Sequence, residues 1–175
     1  LPKEIFWASG ACFIIKRKIF WELNGFDSDF FAHQEEIDLC WRIFNKNYKI
    51  YAIGDSKVYH IGGYTLPISP KKTYFNHRNS LFMLMKNLPN KNKFIILITR
   101  LLIDCVIMLY YLFSLKLLNV VAILRAHIAF YASFKRFAAK EVKVNKKSNY
   151  FKYKSILYAY LATERAYFGD LKHKN

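Results

Sequence analysis

The sequence predicts an α/β fold over residues 1–88, followed by a helical, basic, membrane-associated region over residues 89–175. Three observations lead there. Short apolar runs of strand length alternate with stretches of helical periodicity in the first half. Two much longer apolar stretches, residues 94–115 and 117–134, occupy the second half. Finally, 28 lysines and arginines face 12 acids, a formal charge of +16, in a chain that is 54% hydrophobic and 18% aromatic. That mixture suits contact with an anionic surface.

In chain order, Ala11-Cys12-Phe13-Ile14-Ile15 is a continuous apolar run bounded by Gly10 and Lys16, the pattern of a buried strand. Residues 16–24 have helical spacing with Ile19, Phe20 and Leu23 on one side, and Gly25 stands where a helix C-cap belongs. From Glu35, the apolar residues Ile37, Cys40, Trp41 and Phe44 fall on one face of an amphipathic helix. Its first turn holds Glu35, Glu36 and Asp38, where the helix dipole stabilises negative charge. Residues 49–53 and 57–61 are β-like and separated by Gly54-Asp55-Ser56, and Gly62-Gly63 ends the second. After a loop marked by Pro67 and Pro70, residues 71–87 are helical in pattern, with Tyr74, Arg78, Leu81 and Met85 recurring at helical steps. Pro89-Asn90-Lys91 marks the domain edge.

Arg100 and Asp104 interrupt the first long apolar stretch, and Arg125 and His127 the second. An ionised residue at the bilayer centre costs about 2.5–3.5 kcal/mol on the insertion scale, which disfavours simple spanning. Arg100 and Asp104 are spaced i, i+4 and can pair to reduce that cost. The expected arrangement is two helices lying in or dipping into the interface, ahead of a spanning hairpin. Beyond them, Lys140, Lys143, Lys146, Lys147, Lys152 and Lys154 alternate with Tyr150, Phe151 and Tyr153, and residues 155–168 form a last amphipathic piece. Cys12, Cys40 and Cys105 are odd in number and set in apolar runs, so buried reduced thiols in a reducing compartment are expected. The chain opens at Leu1 on a strand-like approach, and reads as the C-terminal part of something longer.

The ordered set Gly25-Phe26-Asp27, Glu35-Glu36-Ile37-Asp38-Leu39-Cys40-Trp41-Arg42 and Val58-Tyr59-His60 resembles the acceptor-side half of inverting family 2 glycosyltransferases, in the non-processive branch that includes rhamnosyltransferase-like enzymes. The resemblance covers roughly the first 88 residues. It implies the C-terminal half of a GT-A, Rossmann-like domain. It also implies sugar transfer with inversion from a nucleotide-diphosphate sugar to a glycan or polyprenol-linked acceptor. Such chemistry needs a base for the acceptor hydroxyl and positive charge for the departing diphosphate.

By the resemblance Glu36 is the base, with Glu35 the alternative and Asp38 the third acid of the catalytic group. His60 is a ligand of a divalent metal, Mg2+ or Mn2+, whose other ligands belong to residues outside the chain. Ala8, Ser9 and Gly10 line the donor sugar pocket, and Trp7 either stacks on a sugar or sits in the core. Asp27 contacts the acceptor, within a turn Asp27-Ser28-Asp29 that spells Asp-x-Asp but lies downstream of where the family's metal motif belongs. Tyr74-Phe75-Asn76-His77-Arg78-Asn79 matches a Tyr-x-x-x-Arg-Asn element, from which His77 or Arg78 is expected to reach a diphosphate. The enzyme would sit at the cytoplasmic face of the cell membrane.

Two other classes compete. A nucleic-acid binder would account for the charge, but there is no recognised binding motif and the basic residues are not gathered on one polar amphipathic helix, so nucleic acid is not an expected partner. A non-catalytic membrane module with a degenerate transferase domain would account for the long apolar stretches.

Overall fold

The computed structural model describes residues 1–61 and 67–140. Two short strands, β1 (Lys3–Ile5) and β2 (Ile50–Ala52), pair antiparallel with Lys3 opposite Ala52 and Ile5 opposite Ile50. Between them lie α1 (Arg17–Glu22), a 3-10 turn (Ser28–Phe30) and α2 (Glu35–Asn45). Three longer helices follow: α3 (Pro70–Asn87), α4 (Asn90–Phe113) and α5 (Leu117–Ala139). The described residues are thus mostly helical, and they form no Rossmann-like layered sheet.

The helical expectations correspond to observed elements. Leu23 from the end of α1 packs with Leu39 and Ile43 of α2, and Phe13, Ile15, Ile19, Phe20 and Ile50 close around them. Gly25 takes φ +60° and its amide donates to the Phe20 carbonyl at 2.8 Å, while a Cβ there would come within 2.9 Å of the Phe20 ring. Glycine is therefore required on both conformational and steric grounds. Ser69 caps α3 by accepting from the Lys72 amide, with Pro70 in the first turn where its missing N–H costs nothing.

Two β expectations are corrected. Residues 11–15 form no strand: Ile14 is 98% exposed, and only Phe13 and Ile15 lean on the α1/α2 core. Residues 57–61 are likewise irregular, with Tyr59 fully exposed and Ile61 77% exposed. Apolar runs become strands only where a neighbouring strand completes the hydrogen-bond ladder, and neither run has one among the described residues. Gly62 and Gly63 lie outside the described residues. Cys40 is buried as expected, but Cys12 and Cys105 are exposed, because their runs present one face to the surface.

The main core joins α3 to both long helices across the expected domain edge. Phe82 and Met85 of α3 meet Leu97 of α4 and Phe130 and Phe137 of α5, with Phe30 of the 3-10 turn completing the cluster. Phe82 and Phe137 stack with their planes 13° apart. Outside this seam, α4 and α5 are long and apolar enough to cross a membrane by length and composition, and they expose Ile98, Leu102, Val106, Leu109, Leu118, Leu124 and Ile128. The Arg100–Asp104 pair forms at 3.0 Å. The basic segment beyond Lys140 and the piece 155–168 lie outside the described residues.

Candidate active site at the start of α2

Glu36 stands in the first turn of α2, half-buried beneath the segment Ala8-Ser9-Gly10. A Cβ on Gly10 would meet the Glu36 side chain at 3.5 Å, and the Ala8 amide donates to Cys40 Sγ at 3.5 Å one turn along the same helix. Two groups of expected site residues, the acidic pair and the small-residue segment, are therefore brought together. Burial raises the Glu36 pKa above the usual 4.5 and the charge of Glu35 adds to this, against amide donors of Gly10, Gln34 and Glu36 itself. Desolvation outweighs these amides, so Glu36 is a stronger base than an exposed glutamate.

The turn that delivers α2 is strained. Phe31, His33 and Gln34 all take positive φ, at 62°, 71° and 69°. Each such non-glycine residue costs on the order of 1–3 kcal/mol unless its surroundings hold it. Asn79 and Arg78 of α3 do the holding. The Asn79 side-chain amide donates to the carbonyls of Phe30, Ala32 and His33 at 2.9, 2.7 and 2.7 Å, and one Arg78 nitrogen donates to those of Asp29 and Phe30 at 2.9 and 3.0 Å. Gln34 Nε2 adds a bond to the Asn76 carbonyl at 3.1 Å. Three consecutive residues of the turn, His33, Gln34 and Glu35, each keep a buried polar atom without a partner among the described residues.

Arg78 was expected at a diphosphate. Its guanidinium is instead engaged by backbone carbonyls and by Asn79 Oδ1, and lies over the rings of Tyr74, Phe75 and Phe82. His77 is also occupied, with Nδ1 at 2.8 Å from the buried Asp104 carboxylate. Asp104 meets His127 Nε2 at 3.0 Å and Arg100 at 3.0 Å, so one carboxylate joins α3, α4 and α5.

Asp38, the third acid of the group, is engaged inside the protein. It is fully buried and its oxygens accept from Arg42, Lys86 and Asn87 at 2.9, 3.0 and 2.8 Å. Arg42 passes this anchor on to the carbonyls of Leu23 and Gly25. Asp27 is similarly bound, to Lys86 at 2.9 Å and Lys140 at 2.7 Å. Burial alone would raise its pKa, but the Lys140 and Lys86 ammonium groups and the Asp29 amide reverse this and bring it to about 2. Both acids thus act as staples between loop, α2, α3 and the end of α5. Lys86 and Asn87 escaped notice in the sequence, although two polar residues closing the apolar face of α3 are a signal for buried polar partners.

His60 is exposed in an irregular segment, and no three metal-ligating side chains converge among the described residues. These residues do not by themselves fit a metal site. Trp7 is 45% exposed.

No protein-family model and no solved structure matches the chain. Among curated proteins it is similar to N-acetylglucosaminyl-diphospho-decaprenol L-rhamnosyltransferase of Mycobacterium tuberculosis, in strains CDC 1551 / Oshkosh and ATCC 25618 / H37Rv, at 23% identity over 83 residues. The match takes in 47% of this chain and 27% of each relative. Over about half its length, then, the chain is similar to a rhamnosyltransferase, of which it spans about a quarter.

Proposed function

We propose that this chain supplies the acceptor side of a membrane-associated inverting glycosyltransferase, with Glu36 as the general base. The observation that carries the reading is the Glu36 carboxylate, half-buried with a raised pKa, at a strained helix start and directly beneath Gly10. In the reaction the acceptor hydroxyl oxygen attacks the anomeric carbon of a nucleotide-diphosphate sugar. The bond to the diphosphate breaks, the hydroxyl proton passes to Glu36, and the diphosphate departs from the opposite face. Glu35 supports this by keeping the Glu36 pKa high through charge repulsion.

The similarity to a rhamnosyltransferase named for a diphospho-decaprenol substrate supports a lipid-linked acceptor and a cell-envelope product. The outward apolar faces of α4 and α5 support a place at the cytoplasmic membrane surface. His60 would contribute one ligand to a divalent metal whose other ligands come from residues outside this chain.

The test is Glu36→Gln in the full-length protein, assayed for sugar transfer across pH. The general-base reading expects a fall in kcat of about 10²–10⁴-fold with donor KM little changed. For the parent protein, kcat/KM should climb with pH through the Glu36 ionisation, with its midpoint above the ordinary 4.5 of a glutamate. Transfer undiminished in Glu36→Gln would remove the assignment.

A further inference from the structure

Between α3 and α5 runs a groove of about 380 Å³ whose walls are Tyr74 and Phe75 on one side and Leu118 and Val121 on the other. Two cations border it, Lys71 in the first turn of α3 and Arg125 on α5, and neither forms an ion pair among the described residues. An apolar trough edged by two positive charges without a carboxylate partner among the described residues is complementary to an amphiphile with an anionic head.

Its position says more. Phe31, on the turn leading to Glu36, stacks on Phe75 with ring centroids 5.2 Å apart, and Lys71 lies 5.8 Å from the same Phe31 ring. At the other wall, Leu118 and Val121 are 71% and 48% exposed and continue into the outward apolar face of α5. The turn that precedes Glu36, the Lys71 ammonium and the apolar face of α5 therefore adjoin the groove.

We propose that this groove binds the phosphate-bearing end of an isoprenoid-linked acceptor. Its phosphates lie against Lys71 and Arg125, its chain runs out along α5 toward the lipid, and its terminal sugar is presented at the turn before Glu36. The proposal rests on the transferase reading, for it names the acceptor's seat in that same site.

Binding without turnover separates the two. The full-length protein in detergent is titrated with a C15 isoprenyl diphosphate, inorganic pyrophosphate, the C15 alcohol and vesicles containing phosphatidylglycerol. The diphosphate lipid should bind at least tenfold more tightly than pyrophosphate or the alcohol. Lys71→Ala and Arg125→Ala should each weaken it by about fivefold, the effect of one cation beside an anionic head. Lys71→Arg should restore binding, and Val121→Trp, which fills the trough, should abolish it while the circular dichroism spectrum is kept.

Equal binding of pyrophosphate would make the groove a free phosphate site and overturn the proposal. So would a loss confined to phosphatidylglycerol vesicles, which would make the cations a general membrane contact, or wild-type affinity in both alanine variants. Glu36→Gln should bind the lipid diphosphate normally. If it also transfers sugar normally, the base assignment fails and the groove stands. If it is inactive while the groove binds nothing, the converse holds.

Discussion

The surroundings of α2 and the α4–α5 hairpin solve opposite problems. Around α2 charges are inside and paired: Asp38, Arg42 and Lys86 are all buried, and with the neutral Asn87 they fasten four segments. In the hairpin the interior also holds a polar node at Asp104, but aliphatic side chains cover the outside. Contiguous exposed apolar surface is the mark of an interaction face. One region uses buried polarity to fix geometry beside the candidate base. The other turns its hydrophobicity outward.

The contrast breaks most sharply at Asp38. Asp38→Ala leaves Arg42 and Lys86 buried without their shared carboxylate, at an expected cost of about 3–5 kcal/mol. Chemical denaturation should show the loss as a lowered midpoint at unchanged slope, and a midpoint within error of the parent would mean the staple is dispensable. A smaller effect is expected at Asn79. Asn79→Ala abandons three backbone carbonyls of a strained turn, which should cost about 2–3 kcal/mol. Because the turn aims Glu36, kcat should fall more than donor KM rises, and Asn79→Gln should fail to restore it. A variant that loses stability but keeps kcat would make Asn79 a purely structural residue.

The smallest effect on folding is expected on the hairpin's outer face. The combined change Ile98→Ser, Leu102→Ser and Val106→Ser alters side chains that are 40%, 62% and 65% exposed. Stability in detergent should move by no more than about 0.5 kcal/mol per site. Flotation with liposomes should nevertheless fall severalfold, and unchanged flotation would assign attachment to other residues.

Much of this contrast is legible in the sequence. Helical periodicity announces α1, α2 and α3, long stretches of mostly apolar composition announce α4 and α5, and i, i+4 spacing announces the Arg100–Asp104 pair. The acids at the start of α2 are visible as a group, but their division of labour is not. Glu36 and Asp38 lie two residues apart on a helix and so face different directions, one toward Gly10 and the other toward Lys86. Only the packed partners decide which is a candidate base and which a staple. The misread strands have the same origin, since residues 11–15 and 57–61 carry β composition but a ladder is a property of two segments. Arg78 illustrates a third limit. Its donor fork suits phosphate, yet one of its nitrogens is bonded to backbone carbonyls of a turn some 48 residues earlier, a contact that spacing does not announce.

The bonds from Lys140 to Asp27 and Asp29 also order events in time. They close a contact across 113 and 111 residues, near the end of α5. At a synthesis rate of about 5–20 residues per second, the loop beside the candidate base waits roughly 6–23 s for its last tie. Until then the turn at Phe31–Gln34 is held from α3 alone. The chain thus fastens the loop beside the candidate base only once both long apolar helices have been made.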